Sequence, residues 1–501
     1  MNNRPRENSK SIVRNGIYGF STWILPLALS FIATPIIVRS LGHEDYGIYA
    51  LVLGFIAYSF NFNIGRAITK YVAEYRAGRE SGKIREIVSA TLFINLSIGG
   101  IGLLLIFSTG RILVADVLKI APDSQEKTVL ALHIAALTVF FLTLNQFFNA
   151  ILQGLHRFDV YAKIYNLNNI LLISGNLGLA LAGFGLLPLL SWNLLITGLS
   201  VLGLAWAAKR LLPEFSLNLR FPRAVLKLVL KYSSGVIAYQ VLSNVFLLFE
   251  RAWITSRLGA ESLTFYIVPL MLALYIHSFI ASFMMVVFPL ASALKAGDEK
   301  LLRLYQKATK IVCLLVVFLG ATLIVVSEPF LTVWMGAEFA RQSAPLLVLH
   351  ALTISFMAAQ VIAWQVAEGM GYPSYNFYAL MICFIICVSG MVGLIGEWGV
   401  FGVALARTVG FGVLFLSIFY VEKRFLGGIQ IRFWLKLLGI LSAATVAAVF
   451  AETFLLQRLG AGWAAIALTG FGGALVYGAA AWLLGFVSED EIATVKGIFK
   501  R

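Results

Sequence analysis

Stretches of roughly 20 apolar residues follow one another along almost the whole chain, and that succession leaves few folds open. Within hydrocarbon every backbone N–H and C=O must be satisfied by the chain itself, so only helices and closed barrels can cross. Barrel strands would alternate polar and apolar residues, whereas these runs are continuous, so helices are expected. Composition agrees: 60% of the 501 residues are hydrophobic and 13% are charged, too few to solvate a water-soluble surface. The expected fold is an all-α polytopic membrane protein of about 14 transmembrane helices.

The spans are placed near 16–38, 46–65, 86–108, 129–151, 164–183, 186–208, 234–256, 262–290, 309–327, 345–367, 375–396, 399–421, 434–454 and 462–486. The opening MNNRPRENSKSIVRNG is basic like the first region of a signal peptide. The apolar run behind it is full length and lacks a small-residue cleavage pattern, so it reads as a retained first span.

A repeat organises the spans. Leu41 to Leu53, LGHEDYGIYALVL, returns in outline 217 positions later as LGAESLTFYIVPL, Leu258 to Leu270. At the same offset LALHIAAL from Leu130 returns as LVLHALTI from Leu347, which brings His133 and His350 into step. Two matches at one spacing indicate a duplicated six-span unit. Six is even, so both copies enter the membrane from the same side. The expected domains are two six-helix lobes in parallel repeat, 1–210 and 211–430, followed by two additional helices and a cytoplasmic tail in 431–501. A cleft between such halves is where a substrate is expected.

Lysine and arginine orient the chain, because cationic loops are retained on the cytoplasmic side. Clusters occur in the N-terminal tail (Arg4, Arg6, Lys10, Arg14), after the second span and after the sixth, with others after the eighth and twelfth. Only Arg39, Arg111, Lys119, Lys127, Arg257, Arg341 and Arg458 fall on the opposite set of segments, so both termini are expected in the cytoplasm. The net charge of +15 is thus mainly a topology signal, with anionic lipid headgroups as neighbours and no nucleic-acid partner.

Charges inside the spans are more specific. Arg407, in GVALARTVGF, lies well within span twelve among small residues; burying it costs several kcal/mol unless water, a carboxylate or a substrate anion receives it. It faces a cavity, or it forms a structural ion pair or snorkels. Glu250 and Arg251 lie toward the outer end of span seven, where the first copy has Ala33 and Thr34, and face either the cleft or the headgroups. Glu368, in VAEGMGYPSYN, ends span ten where glycines and Pro373 break the helix, and is a candidate for ion or proton coupling beside simple loop exposure. His133 and His350 are candidates for the same task, or interfacial polar residues. Asn61, Asn63, Asn145, Asn149, Gln240, Asn244, Gln360 and Gln365 suit either a sugar-binding cleft or interhelical hydrogen bonds. Pro26, Pro35, Pro269 and Pro289 mark kinks. Cys313, Cys383 and Cys387 all fall in apolar runs and read as small core residues, with no metal set around them.

An enzyme is not expected: there is no GxxxxGK[ST], HExxH, paired CxxC or GxSxG in its proper context, no cofactor signature, and no extramembrane segment beyond roughly 20 residues. TPIIVRSLGHEDYGIYAL (Thr34 to Leu51), the basic ITKYVAEYRAGRESGKIREIV (Ile68 to Val88) and FERAWITSRLG (Phe249 to Gly259) are similar to the polysaccharide-transporter branch of the multidrug/oligosaccharidyl-lipid/polysaccharide exporter superfamily. The resemblance implies a flippase that moves a polyprenyl-diphosphate-linked oligosaccharide across the cytoplasmic (inner) membrane by alternating access of two lobes around a cationic cavity. It implies membrane lipids and glycan assembly proteins as partners of a monomer. It also maps Arg251 to the cavity-facing part of span seven, and Arg66 and Lys70 to the basic end of span two; the last two helices resemble those that form a lipid-tail groove in related flippases. The alternatives are a cation-coupled drug or metabolite antiporter and a peptidoglycan-precursor flippase of the same superfamily. A membrane-embedded glycan polymerase or ligase would need a large outer loop that this chain lacks.

Overall fold

The computed structural model describes residues 9–60, 65–213, 221–284, 287–292 and 294–487, and among them there are helices and connecting turns but no strand. The chain divides into two compact units, Met1–Thr264 and Phe265–Arg501. The first holds α1 (Ser9–Leu41), α2 (His43–Tyr58), α3 (Gly65–Ala77), α4 (Ser81–Ile112), α5 (Pro122–Gly154), α6 (Phe158–Leu181), α7 (Leu186–Leu211) and α8 (Arg223–Leu258). The boundary falls within α9 (Ala260–Met284). The second unit continues through α10 (Val287–Ser292), α11 (Glu299–Val325), α12 (Ser327–Met335), α13 (Ala337–Ala359), α14 (Val361–Gly369), α15 (Pro373–Gly412), α16 (Leu416–Phe425), α17 (Ile431–Leu459) and α18 (Trp463–Leu483).

Nine helical stretches among the described residues are long and apolar enough to cross a membrane. That number is smaller than the fourteen expected segments partly because 373–425 counts as one stretch of 53 residues, while 375–396 and 399–421 had been expected as two spans. Gly399 explains the division: its φ of 54° and ψ of −138° interrupt α15 in a conformation that a Cβ disfavours. Helix α12 occupies what had been expected as a loop, and Pro26, Pro35 and Pro269 lie inside α1 and α9. Outward residues such as Phe450 at 78% exposure and Leu483 at 76% are apolar, as a lipid-facing surface requires.

The 217-residue offset reappears in the backbone. Gly42 (φ 77°, ψ 167°) precedes α2, and Gly259 (φ 86°, ψ 165°) precedes α9. At slightly shorter spacings, positive φ also recurs before α6 and α15, at His156 and Gly371, and at Gly183 and Gly399. Both copies thus break their helices at corresponding places, which is what duplication of a unit leaves behind.

In the first unit the core joins α3, α4, α5 and α7 through Ile68, Val72, Ile87, Phe147, Ile151 and Leu204. In the second, one cluster gathers α11, α14 and α16 around Tyr305, Ile362 and Val421, and another seats α17 and α18 against α11 through Cys313, Leu441 and Tyr477. Polar pins reinforce that last contact. The buried Glu422 carboxylate accepts from Tyr305 Oη (3.0 Å), Trp434 Nε1 (2.6 Å) and the Gln430 backbone N–H (2.8 Å). Further along, Thr322 Oγ1 donates to Glu452 (2.6 Å) and Tyr477 Oη to the Leu314 carbonyl (3.1 Å). The last two helices are therefore fastened to the second unit at several depths. All three cysteines are buried free thiols, as the apolar runs around them led us to expect.

Candidate functional site

The first unit holds an open hollow of about 830 Å³ with many polar side chains in its lining. Helix α5 supplies one wall through Asn145, Asn149 and Gln153, spaced by four so that they rise along one face. Tyr161, Tyr165 and Asn168 repeat that pattern on α6, with the two rings 5.6 Å apart. Thr69 and Lys70 enter from α3 and Ser200 from α7. Helix α3 is drawn onto α5 at Gly154, where an added Cβ would lie 3.1 Å from the Thr69 carbonyl oxygen, and Thr69 Oγ1 donates to the Ala150 carbonyl at 3.2 Å.

The amides form a chain along the wall: Asn149 Nδ2 donates to Asn145 Oδ1 (3.2 Å), and Asn145 Nδ2 donates to Ser200 Oγ (3.1 Å). Asn168 Oδ1 is buried without a partner among the described residues, which leaves an acceptor open. Lys70 carries the charge and lies 4.9 Å from the centroid of the Tyr71 ring. Amide donors and acceptors, two tyrosine rings and one ammonium in a single hollow can hold hydroxyl groups, stack on sugar faces and receive an anion.

Arg251, on α8, packs against α2, the helix that contributes Ala57 to the cavity. Its guanidinium lies 4.9 Å from the Tyr58 ring centroid, Nη1 donates to the Leu247 carbonyl (3.1 Å), and Nε is buried without a partner. Gly54 makes room for it: a Cβ there would come within 2.5 Å of Arg251 Cδ. Glu250, its neighbour on α8, is fully buried. Arg66 lies in α3, but its side chain is outside the described residues, as are Asn61 and Asn63. A second hollow of the first unit, about 460 Å³, is lined by Arg111, Glu126 and His133, whose ring stacks on Phe107 at 4.3 Å.

In the second unit the surroundings are different. Arg407 is 2% exposed, with its guanidinium carbon 5.1 Å from the Phe411 ring centroid. His350, fully buried, meets Tyr266 edge-on at 4.7 Å. Thr353, one turn on from His350, and Thr408, next to Arg407, share a 2.8 Å hydrogen bond. Glu368, half-buried at the end of α14, accepts from Trp364 Nε1 at 2.9 Å, and Gln360 accepts from Ser417 Oγ at 3.4 Å. Gln240 donates to Asn244 at 3.2 Å along α8 in the first unit.

The structure thus gathers Lys70, Asn145 and Asn149 at one cavity, puts Arg251 one helix face away, and leaves Arg407, His350 and Glu368 among protein side chains of the other unit. Tyr161, Tyr165, Asn168, Ser200 and Tyr58 were not anticipated. The four-residue spacing of Asn145, Asn149 and Gln153 was a signal in plain view.

Residues 36–344 match a family described as polysaccharide biosynthesis protein. A relative from Shigella flexneri, named provisionally as an O-antigen transporter, is 22% identical over 414 residues, covering 78% of this chain and 94% of its own. Among solved structures, the lipid II flippase MurJ in an inward closed conformation aligns with a TM-score of 0.72 at 16% identity, over 94% of this chain and 99% of that one. An inward-facing multidrug resistance MATE family transporter of the MOP superfamily aligns with a TM-score of 0.68 at 16% identity, over 80% and 97%. The fold is that of these transporters.

Proposed function

Because the chain belongs to the polysaccharide biosynthesis protein family, within the polysaccharide-transporter branch of the MOP superfamily, we propose that it translocates a polyprenyl-diphosphate-linked oligosaccharide across the cytoplasmic membrane. It is a multi-pass membrane transporter and not an enzyme. On this reading the chain makes fourteen spans with both ends in the cytoplasm, and the repeat lobes run over 1–210 and 211–430 with 431–501 appended.

One observation carries the proposal: the hollow of the first unit joins amides, two tyrosine rings and Lys70. Sugars need hydrogen-bonding amides and flat rings, a diphosphate needs cations, and the prenyl tail needs only lipid. Lys70 and Arg251, with Arg66 beside them in sequence, are assigned to the phosphate end; Asn145, Asn149, Tyr161 and Tyr165 to the sugars. Glu250 sets the field around Arg251. Arg407 contributes positive potential from its closed position, and Glu368, His133 and His350 are the groups assigned to ion or proton coupling.

Reconstitution into liposomes with a fluorescent polyprenyl-diphosphate oligosaccharide tests this. The expected result is flipping that falls at least tenfold in Lys70→Ala with unchanged reconstitution. Transfer of lipid II but not of the oligosaccharide would make the protein a peptidoglycan-precursor flippase instead. Proton- or sodium-driven drug efflux without lipid transfer would make it an antiporter.

A further inference from the structure

The beginning of α11, the beginning of α17 and the end of α18 converge on a groove of about 250 Å³ in the second unit. Arg303, Lys307 and Lys310 reach it from α11, and their spacing of four and three places all three on one helix face. Lys436 reaches it from α17, with no acidic residue in the lining among the described residues. Retention of loops in the cytoplasm calls for cations near helix ends, but it does not require that they share a face or surround a hollow.

The other wall is apolar. Phe433, Leu437 and Ile440 follow one another at helical spacing on α17, and Phe486 closes the end with Lys310 Nζ 4.7 Å from its ring centroid. Arg303 pairs with Glu299 at 2.5 Å, whereas Lys307 and Lys436 make no ion pair among the described residues. Three cations from α11 and one from α17, beside an apolar floor along α17, match a molecule that is anionic at its head and hydrocarbon below.

We propose that this groove binds an anionic phospholipid of the bilayer, with the headgroup phosphate held by Lys307, Lys310 and Lys436 and an acyl chain lying along Phe433, Leu437 and Ile440. A phosphate among long, snorkelling ammonium groups relieves their mutual repulsion, and a neutral zwitterion gives up that gain. The groove offers one amide, Gln306, against the row of amides in the first unit's cavity, so its chemistry suits a small headgroup and not an oligosaccharide. The site is independent of which substrate the protein moves. In the proposed orientation it opens to the inner leaflet.

Native mass spectrometry of the full chain in detergent, titrated with dioleoyl-phosphatidylglycerol or dioleoyl-phosphatidylcholine, reads the site directly. Wild type is expected to retain phosphatidylglycerol over phosphatidylcholine. The double variant Lys307→Gln/Lys436→Gln should lose at least fivefold of that retention with phosphatidylcholine unaffected, and Lys307→Arg/Lys436→Arg should restore it. Lys423→Gln, an exposed cation on α16 outside the groove, should change nothing. Undiminished phosphatidylglycerol retention in the glutamine pair would overturn the proposal. Displacement of the lipid by millimolar inorganic phosphate would reduce the groove to a free-anion site. Preferential displacement by undecaprenyl phosphate would hand it to the isoprenoid carrier.

Discussion

The two units place their cations in opposite settings. In the first, Lys70 opens onto a hollow walled by amides, and Arg251 lies beside it over Tyr58. In the second, Arg407 is packed over Phe411 near His350 with almost no exposure. Even residues matched by the repeat have diverged: Tyr49 receives hydrogen bonds from Asn176 (3.2 Å) and Asn193 (3.5 Å), while its counterpart Tyr266 faces the His350 ring. The two histidines in step follow suit, since His133 lines a hollow and His350 is sealed. Duplication copied the helices and their breaks. The chemistry of the two copies then separated, with a hollow lined by hydrogen-bonding groups in one and a closed electrostatic interior in the other.

The largest consequence concerns transport. Removing an ammonium or guanidinium that meets a phosphate forfeits about 1.5–3 kcal/mol, so Arg251→Ala should cut the flipping rate roughly ten- to a hundredfold while membrane abundance holds. Arg407→Ala should also reduce transport, but less, because its charge acts at a distance. Equal losses measured per molecule of reconstituted protein would erase the difference between the units.

A second effect sharpens the contact inside the first unit. In Gly54→Ala the new methyl would meet Arg251 Cδ and Nε, the far part of a flexible side chain, so the arginine shifts and the fold is spared. Transport should drop several-fold with thermal stability unchanged. Combined with Arg251→Ala, the substitution should add nothing, and a double-mutant cycle reads that coupling. Additive losses would show that Gly54 serves another purpose.

Stability comes next. Asn176 Nδ2 donates to Tyr49 and, at 2.8 Å, to Asn193 Oδ1. Asn176→Leu leaves buried polar groups unsatisfied and should cost about 1–3 kcal/mol in unfolding measurements. A variant as stable as wild type would mean that this triangle of α2, α6 and α7 relaxes without penalty.

The smallest effect lies outside the membrane. Arg157 holds the Asp159 carboxyl below its usual range, first by a hydrogen bond, Nε to Oδ1 at 2.9 Å, with its charge adding to it. A depressed carboxyl pKa contributes stability above the unfolded value of about 3.9 and loses it as the pH falls through the folded one. Both groups are partly exposed, so the contribution is under about 1 kcal/mol. Asp159→Asn should lower the unfolding midpoint slightly at pH 7, and the gap from wild type should close as the pH falls through the depressed pKa of the folded carboxyl.

Much of the scaffold could be read in one dimension. Continuous apolar runs required helices, the match of Leu41–Leu53 with Leu258–Leu270 announced the duplication, and Gly42 and Gly259 turn out to break the chain alike. The site was legible in pieces: Lys70, Asn145 and Asn149 were each singled out, without the knowledge that they share a wall. Tyr161 and Tyr165 were not singled out, because an aromatic residue at a cavity and one at a lipid interface look the same in sequence. Helix α12 went unnoticed since its nine residues are too short to show a membrane run.

Hydropathy and helical period are properties of neighbours along the chain, and they determined by themselves that this protein is a helical, internally repeated membrane protein with cations in costly places. What surrounds each cation is a property of neighbours in space. Only packing decided that Lys70 meets a hollow and Arg407 a phenylalanine ring, because the free energy of a buried charge depends on the water, rings and amides that other helices bring to it.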